Sequence, residues 1–176
     1  VTGRLVKLPR INLGGGEGRR DDWGTPRWLF SVLDDEFHFT LDVCATAENA
    51  KCNAYICRED DGLLTAWFRG LPVVCWMNPP YGQKQLPQWV RKAHIEARLG
   101  ATVVCLVPSR TDASWWHDYV MKTAEVRFIR SRVNFDNGSR KAPFASAVVI
   151  FRHGSRRASL GAPILSPRRG TRTLEG

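Results

Sequence analysis

Three stretches of the chain are apolar almost without a break: 71–77 (LPVVCWM), 101–107 (ATVVCLV) and 144–151 (FASAVVIF). Runs of this length suit strands buried on both faces of a sheet. Two weaker strands are expected at 39–43 (FTLDV) and 125–129, with a brief one at 55–58. Between them the apolar positions recur every three or four residues. Thr25-Pro26 reads as a helix start, with Thr as N-cap and Pro in the first turn. Trp28, Leu29, Val32 and Leu33 then share a face. In Leu86–Leu99, Trp89, Val90, Ala93, Ile95 and Ala97 alternate with Arg91, Lys92, Glu96 and Arg98, and Gly100 closes the helix. Residues 113–121 predict a helix carrying Trp115 and Trp116, and 63–68 a short helical piece. Residues 44–53 read as a turn with a short helix, Asp60-Asp61-Gly62 as a turn, and 130–143 as a long polar loop.

Strands alternating with helices predict an α/β fold, a mostly parallel sheet with helices on both faces. No helix separates the last two strands, so they are expected to pair as an antiparallel hairpin. In such sheets ligands lie beyond the carboxyl ends of the strands. Three informative sequences fall at those ends: Asp42-Val43-Cys44-Ala45, Asn78-Pro79-Pro80-Tyr81 and Pro108-Ser109-Arg110.

The 176 residues suit one domain, and 43% hydrophobic with 24% charged residues is ordinary globular composition. No stretch approaches the roughly 20 apolar residues of a membrane span. The first ten residues lack the apolar segment of a secretory leader, so a reducing cytoplasm is the expected setting of the five cysteines. Cys44, Cys52 and Cys57 with His38 match no standard metal-ligand spacing, and no metal is expected. The net charge of +9 is concentrated at the ends. Arg4, Lys7, Arg10, Arg19 and Arg20 against Glu17 give +4, and Arg152, Arg156, Arg157, Arg168, Arg169 and Arg172 against Glu175 give +5. Residues 21–151 are therefore neutral. This divides the chain into a basic flexible tail (1–20), a folded domain (21–152) and a basic tail expected to be disordered (153–176). Such tails serve either solubility or attraction to phosphate.

Asn78-Pro79-Pro80-Tyr81 carries the most specific chemistry. Two prolines stiffen the turn and remove two N–H donors, so it presents carbonyl oxygens and the Asn amide. Tyr81 adds a flat aromatic face. The Asn78 side-chain oxygen and the Pro79 carbonyl can each accept one hydrogen of a substrate amine. That frees the nitrogen lone pair for direct transfer, by orientation and electrostatics without a covalent intermediate.

The tetrapeptide resembles the motif of amino-directed methyltransferases that use S-adenosylmethionine. From Trp23 to about Phe151 the chain resembles the phage DNA N-6-adenine methyltransferase (Dam) family. The pieces, in order, are W-G-T-P, F-x-F-T-L-D-V-C-A, N-A-K-C-x-x-Y, D-G-L, N-P-P-Y-G, W-V-x-K-A, L-V-P-S-R-T with W-W-H, and R-V-N-F followed by A-P-F. The resemblance implies a Rossmann-like methyltransferase fold with S-adenosylmethionine as cofactor and adenine in double-stranded DNA as substrate. It implies catalytic roles for Asn78, Pro79, Pro80 and Tyr81, and cofactor contacts at Trp23, Thr25, Pro26, Asp42, Cys44, Asp61 and Asn78. The chain departs from the usual pattern at Cys44-Ala45-Thr46, where a Gly-rich loop is ordinary. Only 35 residues lie between Asp42 and Asn78, so a sheet truncated at one edge is expected.

A base to be modified must leave the stack. Tyr81 is then a stacking platform, and Trp115 and Trp116 are either a second aromatic wall or core. Arg110 either meets DNA or closes the pocket. Residues 130–141 hold Arg130, Arg132, Asn134, Asn137, Arg140 and Lys141 against Asp136 alone, a local patch whose Arg and Asn suit guanine and adenine edges. Alternatives are an amino-directed methyltransferase of RNA or protein glutamine, or a DNA-binding module without catalysis. No separate recognition domain is expected, and homodimerisation is left open.

Overall fold

The computed structural model describes residues 23–136 and 140–165. The N-terminal tail and 166–176 lie outside them. The main sheet runs β1 (Leu41–Asp42), β2 (Val74–Met77), β3 (Thr102–Pro108), β7 (Ser146–Phe151), β4 (Glu125–Arg130), with β8 (Ser159–Leu160) and β9 (Ile164–Leu165) both paired to β4. β1, β2 and β3 are parallel, with Asp42 opposite Trp76 and Trp76 opposite Val104. β7 is antiparallel to both β3 and β4, so the expected hairpin of the last two long strands is present. Its connecting loop holds a second small ladder, β5 (Asn134–Phe135) with β6 (Arg140–Lys141).

β3 and β7 are buried along nearly their whole length, as continuous apolar runs require. Each enclosed Leu or Ile contributes about 1.5–3 kcal/mol of burial. Helix α1 (Arg27–Phe37) lies on the face of Trp76, which Phe30 meets at 5.6 Å, and of Arg127, which pairs with Glu36. Helix α2 (Leu86–Leu99) lies on the other, where His94 meets Phe151 at 5.7 Å. The fold is thus α/β with helices on both faces.

Several details depart from the expectations. Thr25 does not cap α1: Pro26 takes the N-cap position and no side chain caps the helix, because the Thr25 hydroxyl is engaged elsewhere. Val32 is 54% exposed, leaving Leu29 and Leu33 as the buried stripe. In α2, Glu96 is buried: it accepts the Phe68 N–H at 2.8 Å and pairs with Lys92 at 2.7 Å. Strand β2 starts at Val74 because Leu71 is exposed, and β7 starts at Ser146. Residues 63–68 form turns, not a helix. The helix expected over 113–121 is present as a continuous helical stretch over 114–123, but its middle, Trp116–Val120, is π-helical and its last turn is α3 (Met121–Thr123).

The expected strand at 55–58 reduces to one parallel bridge, Tyr55 with Asp42, so the sheet ends just outside β1. At the opposite edge the fold reaches further than expected. Residues 153–165, placed by composition in a disordered tail, contribute β8 and β9, which add backbone hydrogen bonds along β4.

Candidate active site

The carboxyl ends of β1, β2, β3 and β4 point to one end of the sheet, with the amino end of β7 beside them. Asn78 directly follows β2. Its Nδ2 donates to the Thr25 hydroxyl at 2.9 Å and to the Trp23 carbonyl. Its Oδ1 accepts the Tyr81 hydroxyl at 2.7 Å, and that hydroxyl also lies 3.1 Å from the Leu106 carbonyl. The amide is therefore clamped on its nitrogen side. Its oxygen keeps one lone pair beyond the one Tyr81 uses. Pro79 is buried and Pro80 half-buried.

Tyr81 is only 2% exposed, and burial pushes its phenol well above the ordinary value. Trp23 lies nearly parallel to it, at 6.5 Å and 19°. Phe135 and Phe144 meet it edge-on at 6.1 and 5.6 Å. Trp23 also contacts both, at 5.1 and 5.3 Å. The open stacking platform expected at Tyr81 is thus covered by rings from the N-terminal segment and from the polar loop. The rings packed round Tyr81 are those of Trp23, Phe135 and Phe144. Trp115 and Trp116 are buried against each other. The aromatic positions inside R-V-N-F and A-P-F were the signal for these rings, but nothing in the sequence pairs them with Tyr81.

Trp23, Thr25 and Pro26 are the residues expected at the cofactor. Trp23 and Thr25 lie on the Asn78–Tyr81 turn, through the Trp23 ring, the Trp23 carbonyl and the Thr25 hydroxyl. Arg110 Nη2 donates to the Tyr81 carbonyl at 3.3 Å, which places this side chain against the Asn78–Tyr81 turn.

The end of β1 is built differently. Asp42 is buried, and its carboxylate accepts the Cys44 N–H at 3.3 Å and the Lys51 N–H at 3.0 Å. Burial raises its pKa, against the opposing pull of those two amides. Its first task is to shape the turn that stands where a Gly-rich loop is ordinary. Asp61 is exposed at φ 49°, and its carboxylate accepts the Leu63 N–H at 3.0 Å. A Cβ at Gly62 would lie 2.6 Å from the Val43 carbonyl. The Asp61-Gly62 turn therefore abuts the end of β1, and Asp42, Cys44, Asp61 and Asn78 occupy one end of the sheet. Pro26 starts α1 there.

The basic loop emerges from β4. Arg130, Arg132 and Lys141 are exposed, and Asn134 is half-buried opposite Lys141. Arg140 takes the strand position opposite Phe135, while Asn137 lies outside the described residues. Cys57 donates to Asp60 at 2.9 Å, and burial pushes the Cys52 thiol up to about 12. Among the described residues no three His, Cys, Asp or Glu side chains converge to hold a metal.

Comparison with known proteins decides the class. A model of the family described as DNA N-6-adenine-methyltransferase (Dam) matches residues 16–160. The chain belongs to this family. It is a DNA adenine methyltransferase, and DNA is its substrate class. The chain is 34% identical over 121 residues to the DNA N-6-adenine-methyltransferase of Haemophilus phage HP1, covering 67% of this chain and 68% of that one. It is 27% identical over 118 residues to the protein of the same name from Escherichia phage T1, covering 66% and 48%. Among solved structures, a predicted O-methyltransferase of Agrobacterium tumefaciens aligns with a TM-score of 0.43 and 25% identity, over 72% of this chain and 62% of that one. As a family of methyltransferases, it implies S-adenosylmethionine as cofactor in general terms. No helix among the described residues is long and apolar enough to cross a membrane.

Proposed function

We propose that this enzyme methylates the exocyclic amine of adenine in double-stranded DNA by direct transfer, with the base extruded onto the Asn78–Tyr81 turn. The observation that carries the reading is the clamped Asn78 amide, anchored through its nitrogen with its oxygen directed away from the Trp23 and Thr25 anchors. Asn78 Oδ1 and the Pro79 carbonyl each accept one hydrogen of the amine. Both acceptors then oppose the positive charge that grows on the nitrogen. An extruded adenine reaches the Tyr81 ring by displacing the Trp23 side chain, whose ring lies parallel to Tyr81 and is half-exposed.

The donor set at the β1 end fits the cofactor. Asp42 and Asp61 offer carboxylates for an ammonium and for ribose hydroxyls, and the uncapped start of α1 favours a carboxylate. When bound, S-adenosylmethionine supplies an electrophilic methyl group. Arg132, Asn134 and Lys141 face the duplex and, with Arg140, choose the site, while Arg110 holds the catalytic turn closed.

Methyl transfer from labelled cofactor to unmethylated duplex DNA, measured beside cofactor binding, tests the reading. Asn78→Ala is expected to bind cofactor normally and to lose about a hundredfold or more in turnover, the scale of removing one preorganised group from a transition state. Near wild-type turnover in that variant overturns the mechanism. Transfer to RNA or to protein, with none to duplex DNA, overturns the substrate.

A further inference from the structure

Asp136 is the single acidic residue in the otherwise basic stretch 130–141. Its position explains why a side-chain acceptor stands there. Asp136 Oδ1 accepts the Gly24 N–H at 2.7 Å, and the Asp136 N–H returns a bond to the Gly24 carbonyl at 2.8 Å. The two residues are 112 positions apart in sequence. Asp136 adopts φ 51°, a left-handed conformation that Asp and Asn tolerate better than most side chains. The approach is close on the other side too: a Cβ at Gly24 would lie 2.4 Å from Asp136 Oδ1, so a larger residue there must push the carboxylate out of its bond.

Gly24 stands between the two residues that hold Asn78. The Trp23 carbonyl and the Thr25 hydroxyl both accept from Asn78 Nδ2. The Trp23 ring meets Phe135, the neighbour of Asp136, at 5.1 Å. Asp136 directly follows the β5 strand, which pairs Asn134 with Lys141. A continuous set of contacts therefore runs from the basic hairpin through Asp136 and Gly24 to the amide of Asn78.

We propose that Asp136 is a positioning residue. It fastens the 23–25 segment to the DNA-facing hairpin, and so fixes the orientation of the Asn78 amide for transfer. The proposal rests on the reading of Asn78 as the catalytic acceptor. The requirement is geometric. An acceptor oxygen on a residue that tolerates left-handed backbone is needed, and its charge is not. An amide shifted by about 1 Å no longer meets the amine, and displacements of that size cost up to about a hundredfold in rate.

The experiment compares the full chain with Asp136→Ala, Asp136→Asn, Gly24→Ala, Asn78→Ala and the Asn78→Ala/Asp136→Ala double variant. Turnover, KM for cofactor and for duplex DNA, and thermal melting are measured for each. Asp136→Ala and Gly24→Ala are expected to lower kcat about tenfold or more, with KM for cofactor within about twofold. Asp136→Asn is expected to stay within about threefold of the parent in kcat, because its Oδ1 still accepts and it tolerates the same backbone. The double variant is expected to be no slower than Asn78→Ala alone.

Three outcomes overturn the proposal: undiminished kcat in Asp136→Ala, Asp136→Asn as damaged as Asp136→Ala, or additive loss in the double variant. If Asp136→Ala does not fold, Asp136→Asn and Gly24→Ala carry the decision, and undiminished kcat in Gly24→Ala overturns it. Full turnover in Asn78→Ala instead defeats the underlying reading of the site, whatever Asp136 does.

Discussion

The ends of β1 and β2 lie side by side, yet they are held in opposite ways. Asp42 satisfies its carboxylate with amides two and nine residues further on. Asn78 satisfies its amide with groups 55 and 53 residues earlier, and the Tyr81 hydroxyl also reaches a carbonyl 25 residues later. One end is a self-contained turn. The other is assembled from the N-terminal segment, β3 and the hairpin loop, and has its shape only when all of them are in place. The β1 end should therefore lose stability on substitution as a local turn does, together with the cofactor affinity proposed for it. The β2 end should respond in stability and turnover together.

The largest effect is expected at Tyr81. Tyr81→Ala removes a buried ring from a four-ring cluster, at a cost of about 3–5 kcal/mol in denaturant unfolding. A cost below about 1 kcal/mol means that the cluster is not packed as described. Asp42→Ala leaves two turn amides unsatisfied and should cost about 1–3 kcal/mol without any cofactor present. If melting is unchanged and only cofactor affinity falls, the β1 end is a ligand site first and a turn second. Tyr81→Phe keeps the ring and loses the hydroxyl that steadies Asn78. About 1 kcal/mol of stability should go with it. Turnover should fall about tenfold, more than stacking alone predicts. Wild-type turnover there assigns Tyr81 to stacking only.

The smallest effect lies away from both ends, in the ion-pair group on the α1 face. A hydrogen bond from Arg127 holds the Glu36 carboxyl below its ordinary value of 4.5. Burial works to raise Glu125, but hydrogen bonds from Arg127 and Arg152 outweigh it and it too is lowered. Carboxyls lowered in the folded state contribute stability that is present above their unfolded values and is lost as pH falls through the folded ones. Arg127→Met should flatten stability against pH below 4.5. At neutral pH it should cost less than about 1 kcal/mol, because the Glu36 side chain is 47% exposed and its pairing is screened. An unchanged acid limb removes the group from the stability account.

The alternation of continuous apolar runs with α2-type periodicity was enough to predict an α/β sheet and its hairpin, and the 35 residues between Asp42 and Asn78 its short edge. Burial on both faces leaves strands such as β3 and β7 little choice of residue, so their class shows locally. Asn78-Pro79-Pro80-Tyr81 was legible for a similar reason, since rigidity and carbonyl display follow from the two prolines themselves. Only the tertiary structure decided that Thr25 serves Asn78 and not α1, that Tyr81 is enclosed by Trp23, Phe135 and Phe144, and that Asp136 meets Gly24. Those contacts join residues 53 to 112 positions apart. A hydroxyl, a ring or a carboxylate in a polar loop has several partners within reach of its own segment. Which one it takes depends on what the packed sheet brings beside it, and no local pattern records that.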